Sequence, residues 1–187
     1  GGRLQAPDET FDVATPAGEQ AFGYLVDMIN TERVAPSAAD TNQNPDFSRD
    51  QFLQGRMALF QSGTYNLANI AEGATFEWGV APMVEGPRGR VSVVSSIVAA
   101  GNADSPKRPE ILRVLRWLGS PEGAAPVGDS GAGLPAVTVA QRGWFDYWAR
   151  RGVDTREFVA DGPTTPAPSG PKVGAATTAM EPTLDEL

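Results

Sequence analysis

The chain has 187 residues, enough for one domain or for one lobe of a larger protein. Its 23 acidic residues outnumber 15 basic ones, for a net charge of −8, which argues against nucleic acid or a polybasic membrane contact, both of which need clustered Lys and Arg. With no cysteine and no histidine, disulfides, thiolate chemistry and imidazole bases or metal ligands are excluded, and neither a metal nor a cofactor is expected.

Residues 1–15 read as extended or looped chain. Thr15-Pro16 then reads as an N-cap followed by proline at the first helical position. Phe22, Leu25, Val26 and Ile29 recur at helical spacing, which predicts an amphipathic helix over 16–32. The polar stretch 34–45 reads as a loop, and Asp46 is placed to cap a short helix through Gln54. Met57–Gln61, an apolar run between glycines, reads as a buried strand. A short helix is expected over 64–71 and a second strand over Glu77–Pro82. Turn chemistry follows at Glu85-Gly86-Pro87-Arg88-Gly89-Arg90. Val91–Ala100, rich in β-branched residues, reads as a third strand.

Pro106–Gly119 reads as a helix, with an apolar face of Ile111, Leu112, Val114, Leu115 and Leu118 and with Arg113 and Arg116 towards solvent. Ser120-Pro121-Glu122 restarts a short helix, and Asp129–Pro135 is a glycine-rich loop. Thr138–Arg151 reads as a helix carrying Trp144, Phe145, Tyr147 and Trp148. Residues 161–174, rich in Pro, Gly, Ser and Thr, read as a surface loop or linker, and 175–187 as the start of a final helix. No run approaches the ~20 apolar residues of a membrane span. Strands alternating with helices imply an α/β class with a small, mixed sheet flanked by helices.

Three stretches offer chemistry. Gly63 permits a sharp turn. Thr64 can exchange hydrogen bonds with a sugar hydroxyl, and Tyr65 can cover the C–H face of a pyranose. The structural alternative is a capping threonine followed by a core aromatic. Gly131, Ala132 and Gly133 let backbone approach a ligand closely, or simply connect two helices. Ser95, with Ser96, carries a hydroxyl that a buried strand must pair with ligand or with neighbouring backbone.

Among the tryptophans, Trp117 is expected in the core beside leucines, and Trp144 and Trp148, one turn apart, half-buried or lining a cleft. Trp78 is a further stacking candidate, and Glu77 beside it is a hydroxyl acceptor or a solvated surface acid. An enzyme would have to rely on paired carboxylates such as Asp146, Asp154 and Glu157, which lie in charged, solvated stretches.

Five motifs in order resemble the carbohydrate-binding solute-binding proteins of ABC importers. They are the Thr15-Pro16 to Ile29 helix, Phe52-Leu53-Gln54-Gly55-Arg56-Met57-Ala58, Gly63-Thr64-Tyr65, Trp78-Gly79-Val80-Ala81-Pro82 with Glu85-Gly86-Pro87, and Gly131-Ala132-Gly133-Leu134-Pro135-Ala136. Tyr65 stands where that family more often has tryptophan, and Met83 where it often has proline. The resemblance implies that residues 1–187 are a single domain, the C-terminal lobe of a type II periplasmic-binding-protein-like fold whose N-terminal lobe and signal segment lie outside this chain. It implies no catalysis. It implies binding of a mono- or oligosaccharide or sugar derivative at Gly63, Thr64, Tyr65, Ser95, Gly131, Ala132 and Gly133, with delivery to the permease subunits. It further implies an extracellular or periplasmic, lipid-anchored protein, and self-association of the isolated lobe through its exposed cleft. The other classes left open are a secreted glycan-processing enzyme domain and an acidic interaction module without a small ligand.

Overall fold

The computed structural model describes residues 4–8, 10–11, 13–87, 89–159 and 162–185. Arg88 of the expected turn, residue 161 of the expected loop and the last two residues of the expected final helix lie outside these. The chain divides into two compact units, one of Gly1–Phe60, Val84–Ser95 and Pro163–Leu187, the other of Gln61–Met83 and Ser96–Gly162.

The first unit begins with helix α1, Pro16–Val26, which continues through one wider π turn, Asp27–Thr31. Its start is set by chemistry readable in the sequence: Thr15 Oγ1 accepts from the Gly18 amide at 3.1 Å, and Pro16 has no amide to leave unpaired. Within the polar stretch expected to be a loop, Ala38–Gln43 forms α2. A reciprocal cap starts it: the Asp40 amide donates to Ser37 Oγ at 3.2 Å, and the Ser37 amide to Asp40 Oδ2 at 3.3 Å. Helix α3 spans Phe47–Leu53. Asp46 precedes it as expected but does not cap it, its carboxylate pairing instead with Arg49 at 2.8 Å.

The sheet of this unit has two parallel strands, β1 (Ser92–Val94) and β2 (Thr164–Pro166), with Ser92 opposite Thr164 and Val94 opposite Pro166. Three residues of the stretch read as loop or linker are thus a strand. Gly86 and Gly89 exchange backbone hydrogen bonds at 3.1 and 2.9 Å, closing the turn expected there. A final helix, α8 (Val173–Asp185), runs beside α2.

The second unit is helical and holds the core. A 3₁₀ turn, Thr64–Asn66, leads into α4 (Leu67–Gly73). Then come α5 (Arg108–Leu118), α6 (Pro121–Asp129) and α7 (Gln141–Ala149), the last preceded by a 3₁₀ turn, Thr138–Ala140. Ser120 caps α6, accepting from the Gly123 amide at 3.2 Å. Helix α7 packs along α6, whose Gly128 lies against Ala140 and the Trp144 amide, while Gly123 of α6 lies against the backbone of Trp117. Leu67, Trp144, Trp148 and Val153 form the buried cluster, flanked by Trp78, Val80, Leu134, Phe145, Tyr147 and Phe158. Trp144 meets Phe145 edge to face, centroids 5.2 Å apart, and Phe158 likewise at 6.1 Å.

Two expectations about buried structure are corrected here. Met57–Gln61 and Glu77–Pro82 are not paired strands: among the described residues, the ladder is limited to β1 and β2, with isolated bridges at Gln5–Phe11 and Gly86–Gly89. Leu59, inside the first of these runs, is 79% exposed. An apolar run is compatible with a strand, but a strand also needs a neighbour that accepts its hydrogen bonds. Trp117 is likewise not core. It is 53% exposed on α5, a helix with no buried residue.

Candidate functional site

Gly63, Thr64 and Tyr65 sit in the second unit at the turn before α4. Gly63 is extended, with φ −116° and ψ −179°, and the Asn66 amide donates to its carbonyl at 3.1 Å. Asn66 Nδ2 donates to Ser62 Oγ at 2.7 Å and ties the two ends of the turn together. The Tyr65 ring folds back over Gly63, so closely that a Cβ there would lie 2.7 Å from Tyr65 Cε1. The ring is nevertheless 67% exposed. Tyr65 is thus not the core aromatic of the structural alternative, and Thr64, half-buried, makes no capping hydrogen bond. What the turn presents is a backbone-supported aromatic face open to solvent.

The Gly131 turn lies in the same unit. Its shape follows from the end of α6: the Gly131 amide donates to Gly128 O at 2.9 Å, and Gly131 takes φ +73°. A Cβ at Gly131 would run into the Tyr147 ring, so the turn is seated directly on that aromatic. Ala132 is exposed and Gly133 half-buried. Beyond them, Leu134 packs against the core and Gln141 Nε2 donates to Pro135 O at 2.9 Å. Both turns are therefore anchored in one hydrophobic cluster, the first through Leu67 and the second through Tyr147 and Leu134.

Ser95 is the exception. It belongs to the first unit, just past the end of β1, and is exposed, as is Ser96. Ser95 is not the expected buried hydroxyl, because pairing with β2 stops at Val94 and the residues after it are exposed.

Trp144 and Trp148 are almost fully buried, at 0% and 1% exposure, rather than half-buried or lining a cleft. Their indole nitrogens have no hydrogen-bond partner among the described residues. The carboxylates that an enzyme would need stand in solvent. Asp146 lies 3.6 Å from Arg142, and Asp154 is gripped by Arg156, whose Nε donates to its two oxygens at 2.9 and 3.0 Å. That donation holds the Asp154 carboxyl below its ordinary 3.8, at about 2. Glu157 is exposed. Among the described residues, no group of three or more Asp or Glu side chains is gathered to hold a metal, and no helix is long and apolar enough to cross a membrane.

A depression of about 640 Å³ opens at the far end of α4, lined by Ala71, Phe76, Glu77, Trp78, Arg151, Gly152 and Val153. Trp78 and Glu77 are visible in the sequence as candidates; Phe76 and Arg151 are not among them. The available signal for Arg151 is its position four residues after Tyr147, one turn along the same helix face.

The sequence pattern of the bacterial extracellular solute-binding proteins matches residues 1–125. Among solved structures, the crystal structure of M. tuberculosis UspC (monoclinic crystal form) is similar, with 50% sequence identity and a TM-score of 0.81. The match covers 99% of this chain and 46% of that one, so the chain spans less than half the length of UspC. No curated protein matches the chain.

Proposed function

The chain belongs to the bacterial extracellular solute-binding protein family, a family of binding proteins and not of enzymes, and on that premise we propose that it is the C-terminal lobe of a carbohydrate receptor for an ABC importer. In this reading residues 1–187 form one wall of a cleft whose other wall lies outside this chain. Ligand bridging the two walls shifts the population to a closed form that the permease recognises. The protein works outside the cytoplasmic membrane, held there by a lipid anchor. The isolated lobe, with its cleft face uncovered, self-associates.

The observation that carries the proposal is the exposed Tyr65 ring laid over the Gly63 backbone. A rigid aromatic face beside hydroxyl and amide groups suits a pyranose, whose faces are apolar and whose rim is all hydrogen-bonding hydroxyls. Thr64, Ser62 and Asn66 supply such groups beside it. Gly131, Ala132 and Gly133 bring backbone close to the ligand in the proposal, with the Gly131 amide itself engaged by Gly128 O.

The test is a titration of mono- and disaccharides into the full-length protein that carries this chain, followed by tryptophan fluorescence. Saturable change without chemical turnover, abolished by Tyr65→Ala at unchanged thermal stability, is the expected result. Release of a cleaved product would point to the glycan-processing enzyme. Silence across the panel would leave an acidic interaction module.

A further inference from the structure

Helix α4 separates two places in the second unit. Tyr65 stands before its first residue, and the 640 Å³ depression lies at its last turn and beyond. The seven residues of α4 put about 10 Å of helix between them, at ~1.5 Å per residue. The depression is of a size that holds small molecules, about 300–1,000 Å³.

Its construction is specific. The floor is Val153, 6% exposed and part of the core cluster. It is fixed by the way α7 ends: the Gly152 amide donates to Ala149 O at 3.0 Å, the Val153 amide donates to Trp148 O at 3.1 Å, and Gly152 takes φ +77°. These are the two bonds of a Schellman motif, with its apolar contact between Val153 and Trp148. The reversal turns Val153 inward and leaves Arg151 at the rim. The Arg151 guanidinium carbon lies 3.7 Å from the centroid of the Tyr147 ring, and its Nη1 donates to Tyr147 O at 3.4 Å. A guanidinium held by its face keeps in-plane N–H groups free to grip a carboxylate in a fork. Two aromatic residues, Phe76 and Trp78, which flank Glu77 in sequence, also line the depression. Neither Arg151 nor Glu77 is in an ion pair among the described residues.

We propose that this depression is a second ligand site, separate from the Tyr65 turn, and that it takes a zwitterion with an apolar body, an amino acid or short peptide. Arg151 binds the carboxylate, Glu77 binds the ammonium, and Phe76 and Trp78 cover the apolar body. Charge selects this class. A simple anion would meet Glu77 and a chain of net charge −8, and a simple cation would meet Arg151. A neutral apolar ligand would strip water from two charges and give nothing back. Only a ligand carrying both signs neutralises both groups. The inference does not rest on the carbohydrate reading, because it uses no residue of the Tyr65 turn.

The experiment is calorimetric titration of this chain with L-phenylalanyl-L-phenylalanine, with its C-terminal amide, with its N-acetyl derivative, and with the doubly blocked form. The free dipeptide is expected to bind saturably and to change tryptophan emission, with the doubly blocked form weaker by about tenfold or more. Arg151→Gln should weaken the free dipeptide but leave the amide unchanged, and Glu77→Gln should weaken the free dipeptide but leave the N-acetyl form unchanged. A variant that merely misfolded would lose all four ligands together, and thermal unfolding identifies it; the end-group comparison on the unaltered protein decides the matter without any variant. Tyr65→Ala should leave every affinity unchanged. The proposal is overturned if the free dipeptide shows no saturable binding, if the blocked form binds as tightly, or if Tyr65→Ala removes the binding.

Discussion

Gly131→Ala tests the seat of the glycine turn most sharply, because two separable costs meet at that position. The first is conformational. At φ +73° an L side chain is strained by roughly 1–2 kcal/mol. The second is steric, since the new Cβ would occupy the space of the Tyr147 ring and force it aside, an overpacking that typically costs about 1–3 kcal/mol. Gly152→Ala isolates the first cost: its φ is +77°, and nothing lies within 4 Å of the Cβ it would gain. Urea unfolding followed by the buried tryptophans should therefore show Gly152→Ala destabilised by about 1–2 kcal/mol and Gly131→Ala by about 2–5 kcal/mol. In a chain of this length each kcal/mol moves Tm by about 2–4 °C. A Tyr147→Ala background removes the ring, so there Gly131→Ala should cost no more than Gly152→Ala does in the native protein. Equal destabilisation by the two alanines in the native background, or no relief from Tyr147→Ala, would refute the claim that the turn rests on that ring.

Three further outcomes are expected. Trp148→Ala empties the centre of the core and should cost about 3–5 kcal/mol in the same unfolding assay, whereas Trp148→Phe should cost about 1–2 kcal/mol, since the indole N–H it deletes has no partner among the described residues. Thr15→Ala removes the cap of α1 and should cost about 1 kcal/mol, read by denaturant unfolding of the first unit. Asp154 should titrate with a midpoint near pH 2 by carboxyl NMR, because Arg156 donates to its ionised form. A carboxyl lowered on folding stabilises above its unfolded pKa and loses that contribution as pH falls through the folded one. The stability difference between the native protein and Asp154→Asn should thus be constant above pH 5 and vanish below about pH 2.

What could be read from the sequence divides along the line between local and distant interactions. Helix starts were legible because their determinants lie within three residues. Thr15 caps the helix it was expected to cap, and Ser120 caps the helix expected to restart there, each through one amide three residues on. The Ser37–Asp40 cap obeys the same rule, and the polar composition around it concealed a helix in a stretch read as loop. Strands were not legible in this way. Met57–Gln61, Glu77–Pro82 and the residues after Val94 have strand-like composition, but pairing depends on chain that may be far away in sequence, and β1 finds its partner only at Thr164. The exposure of Ser95 is the direct consequence, and it is why a hydroxyl expected to be buried faces solvent.

The tryptophans make the same division quantitative. Trp117 on α5 and Trp144 on α7 both lie on helices with apolar stripes, yet one is 53% exposed and the other 0%. The difference is in the neighbour. Helix α6 meets α7 at Gly128, where a Cβ would sit 2.7 Å from Ala140 O and 3.4 Å from the Trp144 amide, so the absence of a side chain there is what admits α7, whereas Gly123 faces the backbone of Trp117. A stripe states which face of a helix seeks burial, and only the opposing surface decides whether it gets it. The two aromatics at the turns follow the same logic: Tyr147 is held between the Gly131 turn and the Arg151 guanidinium, while Tyr65 folds over Gly63 and stays 67% exposed. An exposed aromatic backed by its own turn reaches a ligand without unfolding the core, which is why Tyr65, and not one of the buried tryptophans, is the stacking residue to test.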